Sequence, residues 1–423
     1  MNSLVPTEYW DYGFADAIRG MRTALNPQPS NGNTRILIPE LGNCIPVRSA
    51  RAALVVALKT LSLPDGALVA VPLYCCPVVL SAIKMAGYRA RFVDVDPSTF
   101  CMSATDLAAK SANIDAVIVV HMFGNVCDMP ALRQARPGKP FIEDCAQGLG
   151  SRIGGQPAGS LGEIAVFSFR SGKYISAGEG GAIYCKEAAL EVRTTRLINE
   201  LATSSRTNDL VHVLKTYLKS ALRRKPLWGL VGSRLWSAYS EKVAFTAQAP
   251  IVMGRIFPTD YATAMRRLSM LGSFIEKQRS NADHYSRNLD VQPDMICRET
   301  QGNFFNRLQY SLLLSTPEQC AELAVRLEKE KISTARPYKD IVSIATEHYG
   351  YSGDCPQSEY VAKRILVIPC NYDLTPAELD KITNSVNRAW REMNSRGHGV
   401  LSNAVRDAVS TNPQNTRKAS GIV

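Results

Sequence analysis

Short apolar runs without polar alternation, each followed by a longer amphipathic stretch, recur through the first half of this 423-residue chain. Ala116–Val120 is the cleanest of them, with five apolar residues in a row. A strand of that kind has no face to offer water, so both faces must be covered. Ala67–Val71, Ala90–Val95, Pro140–Ile142, Ala165–Phe169 and Gly181–Cys185 read as further strands. Between them, Ala52–Leu61, Val78–Met85 and Ala104–Lys110 carry apolar residues at helical spacing, and Gly87 stops the second. Strand, helix, strand in this order predicts an α/β fold with a large, mostly parallel sheet. Ligands of such sheets gather at strand ends, so the polar residues after Ile142 and Phe167 are site candidates.

The second half has a different rhythm. Thr259–Leu289 reads as one long helix. Residues 303–390 look like a smaller α/β unit, with strands at Gln309–Leu314 and Ile365–Ile368 and helices at Pro317–Glu330 and Pro376–Arg391. The expected division is a large domain over 1–250, a small C-terminal domain over 251–394 and a disordered tail over 395–423. The tail is rich in Ser, Asn, Gly and Arg and poor in large apolar residues.

The formal net charge is +11, and two segments hold most of it. Residues 206–242 carry eight Lys/Arg against two Asp/Glu, and 396–423 carry four against one. The first of these is amphipathic and includes Trp228 and Trp236. It reads as a basic helical insertion, a surface hairpin over the cleft, with peripheral contact to anionic lipid as the sharper reading. No nucleic-acid motif accompanies the charge, so no nucleic-acid partner is expected. The most apolar window, Ala67–Ile83, is broken by Pro72 and Pro77 and is too short for the roughly 18 residues of a spanning helix. Eleven cysteines without a framework pattern, and an N-terminus without a basic-then-apolar leader, predict reduced thiols and a cytoplasmic protein. No His/Cys pair has metal spacing, so no metal is expected, and His121 after its strand reads as structural.

The most informative stretch is Phe141–Gly181, FIEDCAQGLGSRIGGQPAGSLGEIAVFSFRSGKYISAGEGG. It closely resembles the DegT/StrS-type sugar aminotransferases, whose pattern runs I-E-D-x-A-Q, G-S-x-G-D/E-I, F-S-F-x-x-x-K and G-E-G-G. The likeness continues through FVDVDPSTF (92–100), VVHMFGNVCDM (119–129) and CPQSEYVAKRILVIPCNYDLTPAELDKI (355–382). The resemblance implies a fold-type I enzyme with pyridoxal phosphate, a keto-sugar acceptor that is nucleotide-linked, glutamate or glutamine as donor, and a homodimer. Gly148-Leu149-Gly150 with Gly154 has the wrong spacing for a dinucleotide loop.

Pyridoxal phosphate needs a lysine for its aldehyde, an acid beside its ring nitrogen and donors for its phosphate. Lys173 lies in a Ser/Gly-rich turn where a flexible amine can serve both as linker and as acid/base. Asp144, at the end of a buried strand, is costly unless it meets a cation such as a protonated ring nitrogen. By resemblance, Gln147 contacts the ring face or its 3-hydroxyl and Ser168 contacts the phosphate. Ser49, Ala50 and Arg51 precede a helix whose N-terminus can bind phosphate. The family has Ser-Gly-Thr there, so Arg51 offers a charge-assisted contact in place of a hydroxyl. The ring-stacking position aligns with Cys76, with Tyr74 as the alternative. The family's Asn-Tyr-Arg run is absent, leaving Arg255 as a substitute. Three other readings stay open: a dehydratase of the same fold, a cyclitol aminotransferase and a non-catalytic regulator. The dehydratases carry histidine where this chain has Lys173.

Overall fold

The computed structural model describes residues 4–26, 34–224 and 250–395. The part of the basic insertion that holds Trp228 and Trp236 lies outside the described residues, as does the expected tail from Arg396 onward. An eight-stranded sheet forms the centre, in the order β1-β2-β10-β9-β6-β5-β3-β4. The strands are β1 (Ile36–Ile38), β2 (Gly42–Val47), β3 (Leu68–Pro72), β4 (Arg89–Val93), β5 (Ile114–Val120), β6 (Phe141–Asp144), β9 (Ile164–Ser168) and β10 (Gly181–Cys185). A small ribbon, β7 (Arg152–Ile153) with β8 (Gln156–Pro157), sits between β6 and β9 in the chain.

Pairs β4/β3, β3/β5, β5/β6 and β6/β9 are parallel, whereas β10 runs antiparallel to both β9 and β2. All five residues of β9 and all four of β6 are buried, as expected for strands covered on both faces. Helix Ala50–Thr60 provides part of that cover: eight of its residues are buried, and Ser49 caps it by accepting from Ala52 N at 3.2 Å. β2 tolerates Pro46 because β1 pairs only as far as Cys44, so nothing on that side needs the missing N–H.

The smaller unit pairs β11 (Tyr310–Leu313) with β12 (Ile365–Ile368) antiparallel, covered by helices Pro317–Lys329 and Pro376–Ser395. Its core gathers Tyr285, Leu312, Leu323, Leu366, Val386 and Trp390, together with Val5 from the N-terminus. Ile256, Ala264, Leu268, Leu271 and Ile275 pack instead with Phe167 and Phe169 of the large sheet.

The single helix expected over Thr259–Leu289 is two, Pro258–Leu268 and Leu271–Asn288. Met270 N donates to Arg267 O at 3.0 Å, a tight turn that ends the first helix. Leu268 and Leu271 enter the same core on either side of the break, which is why apolar periodicity ran straight through it. Among the described residues, no helix is long and apolar enough to cross a membrane.

Candidate active site

Five strand ends meet along one edge of the sheet. β6 ends on Asp144 and β9 on Ser168; β2 leads to Ser49, β3 to Tyr74 and Cys76, and β5 to His121. The register fixes this convergence. Ser168 pairs with Gly181, which pairs with Val47, while Asp144 pairs with Val120 and Val166. This is the edge at which α/β sheets take ligands.

After β9 the chain leaves the sheet and closes on itself through a bridge between Arg170 and Gly178. Lys173 rides on this turn, its N–H donating to Arg170 O at 3.1 Å. The turn needs Gly172, whose φ is +89°. Burial, and then the neighbouring Arg170 guanidinium, pull the Lys173 amine down to about 8, against the opposing charges of Glu8, Cys76 and Asp144. An amine tuned to that range can take and release a proton near neutral pH.

Asp144 is buried, and its carboxylate accepts from Ala146 N at 3.0 Å. Burial pushes its carboxyl up; the Ala146 N–H and the charge of Lys173 pull the other way. A carboxyl so placed gains most from a cation brought to it.

Gln147 is buried and donates from Nε2 to Tyr338 Oη at 3.3 Å. Ser168, at the last position of β9, accepts from Arg170 N at 3.4 Å. Arg51 is half-buried in the first turn of its helix, beside Ala50, and its guanidinium makes no hydrogen bond or ion pair among the described residues. Lys173, Asp144, Gln147, Ser168 and the Ser49–Arg51 turn thus share one edge, and the amine, the buried acid and the open helix start suit an aldehyde, a cationic ring nitrogen and a phosphate.

The two candidates for the ring face separate. Tyr74 is wholly buried, its hydroxyl donates to Pro337 O at 3.0 Å, and its ring packs edge-on to Phe123 and Tyr338. No face of it is open to the cleft. Cys76, half-buried at the start of helix Pro77–Met85, keeps its place near Lys173 and Asp144. Arg255 donates from Nη2 to Asn199 O at 2.6 Å, holding the end of helix Ala188–Asn199.

His121 is locked between two partners. Nδ1 accepts from Cys127 N at 3.2 Å, so the ring's remaining proton sits on Nε2, 3.0 Å from Glu143 Oε2. Glu143 also accepts from the N–H groups of Gly159, Leu161 and Gly162. Cys145 lies close enough to share an ion with these two, yet the ligand atoms of His121 and Glu143 are already spoken for.

Three residues that sequence reasoning passed over belong to this region. Tyr338, at a positive φ of 57° in the turn after Pro337, closes over Gln147. Asn306 donates to the carbonyls of Gln147 and Leu149 at 2.8 and 2.9 Å and so holds the loop after Asp144. Glu8 reaches the Lys173 turn from the N-terminus.

Residues 40–387 match the model of the DegT/DnrJ/EryC1/StrS aminotransferase family. The UDP-N-acetyl-3-dehydro-alpha-D-glucosamine 3-aminotransferase of Acidithiobacillus ferrooxidans is 36% identical over 349 residues, 80% of this chain and 82% of that relative. Two shorter matches cover little of either protein. The L-glutamine:2-deoxy-scyllo-inosose aminotransferase of Streptoalloteichus tenebrarius is 36% identical over 37% of this chain and 38% of its own length. Protein MosB of Rhizobium meliloti is 37% identical over 37% of this chain and 32% of its own length. Among solved structures, the sugar aminotransferase Spr1654 of Streptococcus pneumoniae in its PMP form superposes with a TM-score of 0.71 at 17% identity, over 93% of this chain and 99% of that one.

Proposed function

The chain belongs to the DegT/DnrJ/EryC1/StrS aminotransferase family and uses pyridoxal phosphate, and from that premise we propose that it aminates a nucleotide-linked keto-sugar with glutamate or glutamine as donor. The observation that carries the catalytic part is the Lys173 amine, depressed to about 8, set at one sheet edge with the buried Asp144 carboxyl. The long match to the Acidithiobacillus nucleotide-sugar enzyme supports the acceptor class.

Pyridoxal phosphate supplies the electron sink that lets a proton leave the donor's α-carbon. Asp144 would hold the ring nitrogen in its charged form. Ser168, Ser49 and Arg51 would hold the phosphate, and Gln147 and Cys76 would contact the ring. Lys173 would link to the cofactor aldehyde, and its amine would be the group that takes the proton from the donor's α-carbon and gives it back. A homodimer in the cytoplasm fits this reading, and the free thiols of all eleven cysteines support the compartment.

The test is a half-reaction. The loaded protein should be yellow, glutamate or glutamine should bleach it, and a keto-sugar nucleotide should restore the colour. Restoration by keto-cyclitols alone would move the acceptor to the cyclitol class, which the shorter match supports. A protein that stays colourless with added cofactor would refute the enzyme reading.

Peripheral contact with anionic lipid is part of the proposal. Leu214, Leu218 and Leu222 form an exposed apolar row on helix Arg206–Leu222, beside Lys215 and Lys219. Replacing the three leucines together by glutamine should abolish co-sedimentation with phosphatidylserine vesicles. Undiminished pelleting of that variant would sink the contact.

A further inference from the structure

A charged cluster that belongs to none of the cofactor contacts is built against the lysine turn. It comes from the two ends of the first half of the chain. The N-terminal segment is tied down along its length. Val5 exchanges backbone hydrogen bonds with Lys331 and Ser333, Pro6 O accepts from Asn371 Nδ2 at 3.2 Å, and Trp10 O accepts from Ser220 Oγ at 2.6 Å. Between these anchors Glu8 is held by Trp10 Nε1 at 3.3 Å and by Arg223 Nη1 at 3.4 Å. Arg223, just past the end of helix Arg206–Leu222, also lies over the Trp10 ring at 4.0 Å.

This assembly rests on the residue next to the lysine. A Cβ placed on Gly172 would stand 2.6 Å from Glu8 Oε2 and 3.0 Å from Trp10 Nε1, so only glycine lets the carboxylate come so near. Arg170, three residues before the lysine, makes no side-chain hydrogen bond or ion pair among the described residues. The charged or titratable groups facing the amine are therefore Arg170 from its own turn, Glu8 from the N-terminal segment, Cys76 from the turn after β3 and Asp144 from the end of β6; Arg223 bears on it through Glu8.

We propose that Glu8 is a positioning residue for Lys173: a carboxylate carried in by the N-terminal segment and set against Arg170 so that the amine can both take and give up a proton. Burial and Arg170 unopposed would strip the amine of its proton at neutral pH, leaving it able to take one but with none to give. Glu8 restores the charged form to reach. Arg223 and Trp10 hold the carboxylate at that spot. Burial pushes the Glu8 carboxyl up, but Arg170 first, then Arg223, Lys173 and the Trp10 N–H, bring it below its ordinary range and keep it ionised. The inference rests on Lys173 being the cofactor lysine.

The test is a titration of Lys173 in the cofactor-free protein, by acetic anhydride labelling across pH with the Lys173 peptide read by mass spectrometry. Glu8→Gln should lower the midpoint by about one unit, a roughly tenfold rise in neutral amine on the acid side. Arg170→Gln should raise it by a similar amount. The loaded enzymes should show the same two signs in the acid limb of their turnover profiles. A midpoint that stays put or rises in Glu8→Gln, or fails to rise in Arg170→Gln, overturns the proposal, and the opposite signs separate it from a merely structural role. A wild-type protein that never binds the cofactor at Lys173 would defeat the catalytic reading instead, since the labelling needs no cofactor.

Discussion

Lys173→Ala should give a folded protein that never turns yellow with pyridoxal phosphate and whose turnover falls by more than about 10³-fold, since linker and proton carrier go together. The fold should survive because the lysine side chain makes no hydrogen bond or ion pair among the described residues: its turn is made by the Lys173 N–H, the Arg170–Gly178 bridge and Gly172. Stability gives a second readout with a definite sign. The folded amine releases its proton at about 8, below the ordinary 10.5, so folding disfavours its charged form. That penalty is fully present below about 8, fades as pH rises and is gone above about 10.5. The cofactor-free alanine variant should therefore melt at higher temperature than wild type at pH 7, with the gap closing toward pH 10.5. Melting curves of both proteins across that range check it. Retained turnover would contradict the role of Lys173, and a gap that widens with pH would contradict its environment.

What the sequence made legible follows the chain's own path. Asp144, Gln147, Ser168 and Lys173 lie within thirty residues of one another because the chain leaves β6 and re-enters the same edge through the adjacent β9. A linear motif can report such a site. Apolar runs likewise located β3, β5, β9 and β10 to within a residue or two, since strands covered on both faces leave no other pattern.

The remainder was hidden for equally physical reasons. Tyr338 and Asn306 reach Gln147 from 191 and 159 positions away, and Glu8 meets Arg223 across 215, distances at which no local spacing survives. β2 carries a proline that speaks against a strand, and only the shortness of β1 makes it harmless. That the Tyr74 hydroxyl would find a carbonyl, Pro337 O, 263 positions along the chain was equally out of reach of local spacing.

Asp144→Asn should separate activity from stability more sharply than any other change. The amide is nearly the same shape and can still accept from Ala146 N, so the strand end stays intact. It cannot hold a cationic ring nitrogen, and turnover should fall by about 10²–10³-fold, the range typical of removing a single electrostatic contact to developing charge. Colour should persist, because Lys173 is still present. In the cofactor-free protein the effect on stability runs the other way. The Asp144 carboxyl titrates above its ordinary 3.8, so the folded chain holds that proton more tightly than the unfolded chain does. Ionising it costs stability at pH above the carboxylate range, and the cost vanishes below 3.8, where both states are protonated. The asparagine variant should thus melt higher than wild type at pH 7 without cofactor and lose that advantage in acid. Adding pyridoxal phosphate should reverse the order at pH 7, since wild type alone then gains a cation for its buried carboxylate. If wild type remains the less stable protein when loaded, Asp144 does not face the ring nitrogen, and the cofactor sits at this edge in some other orientation.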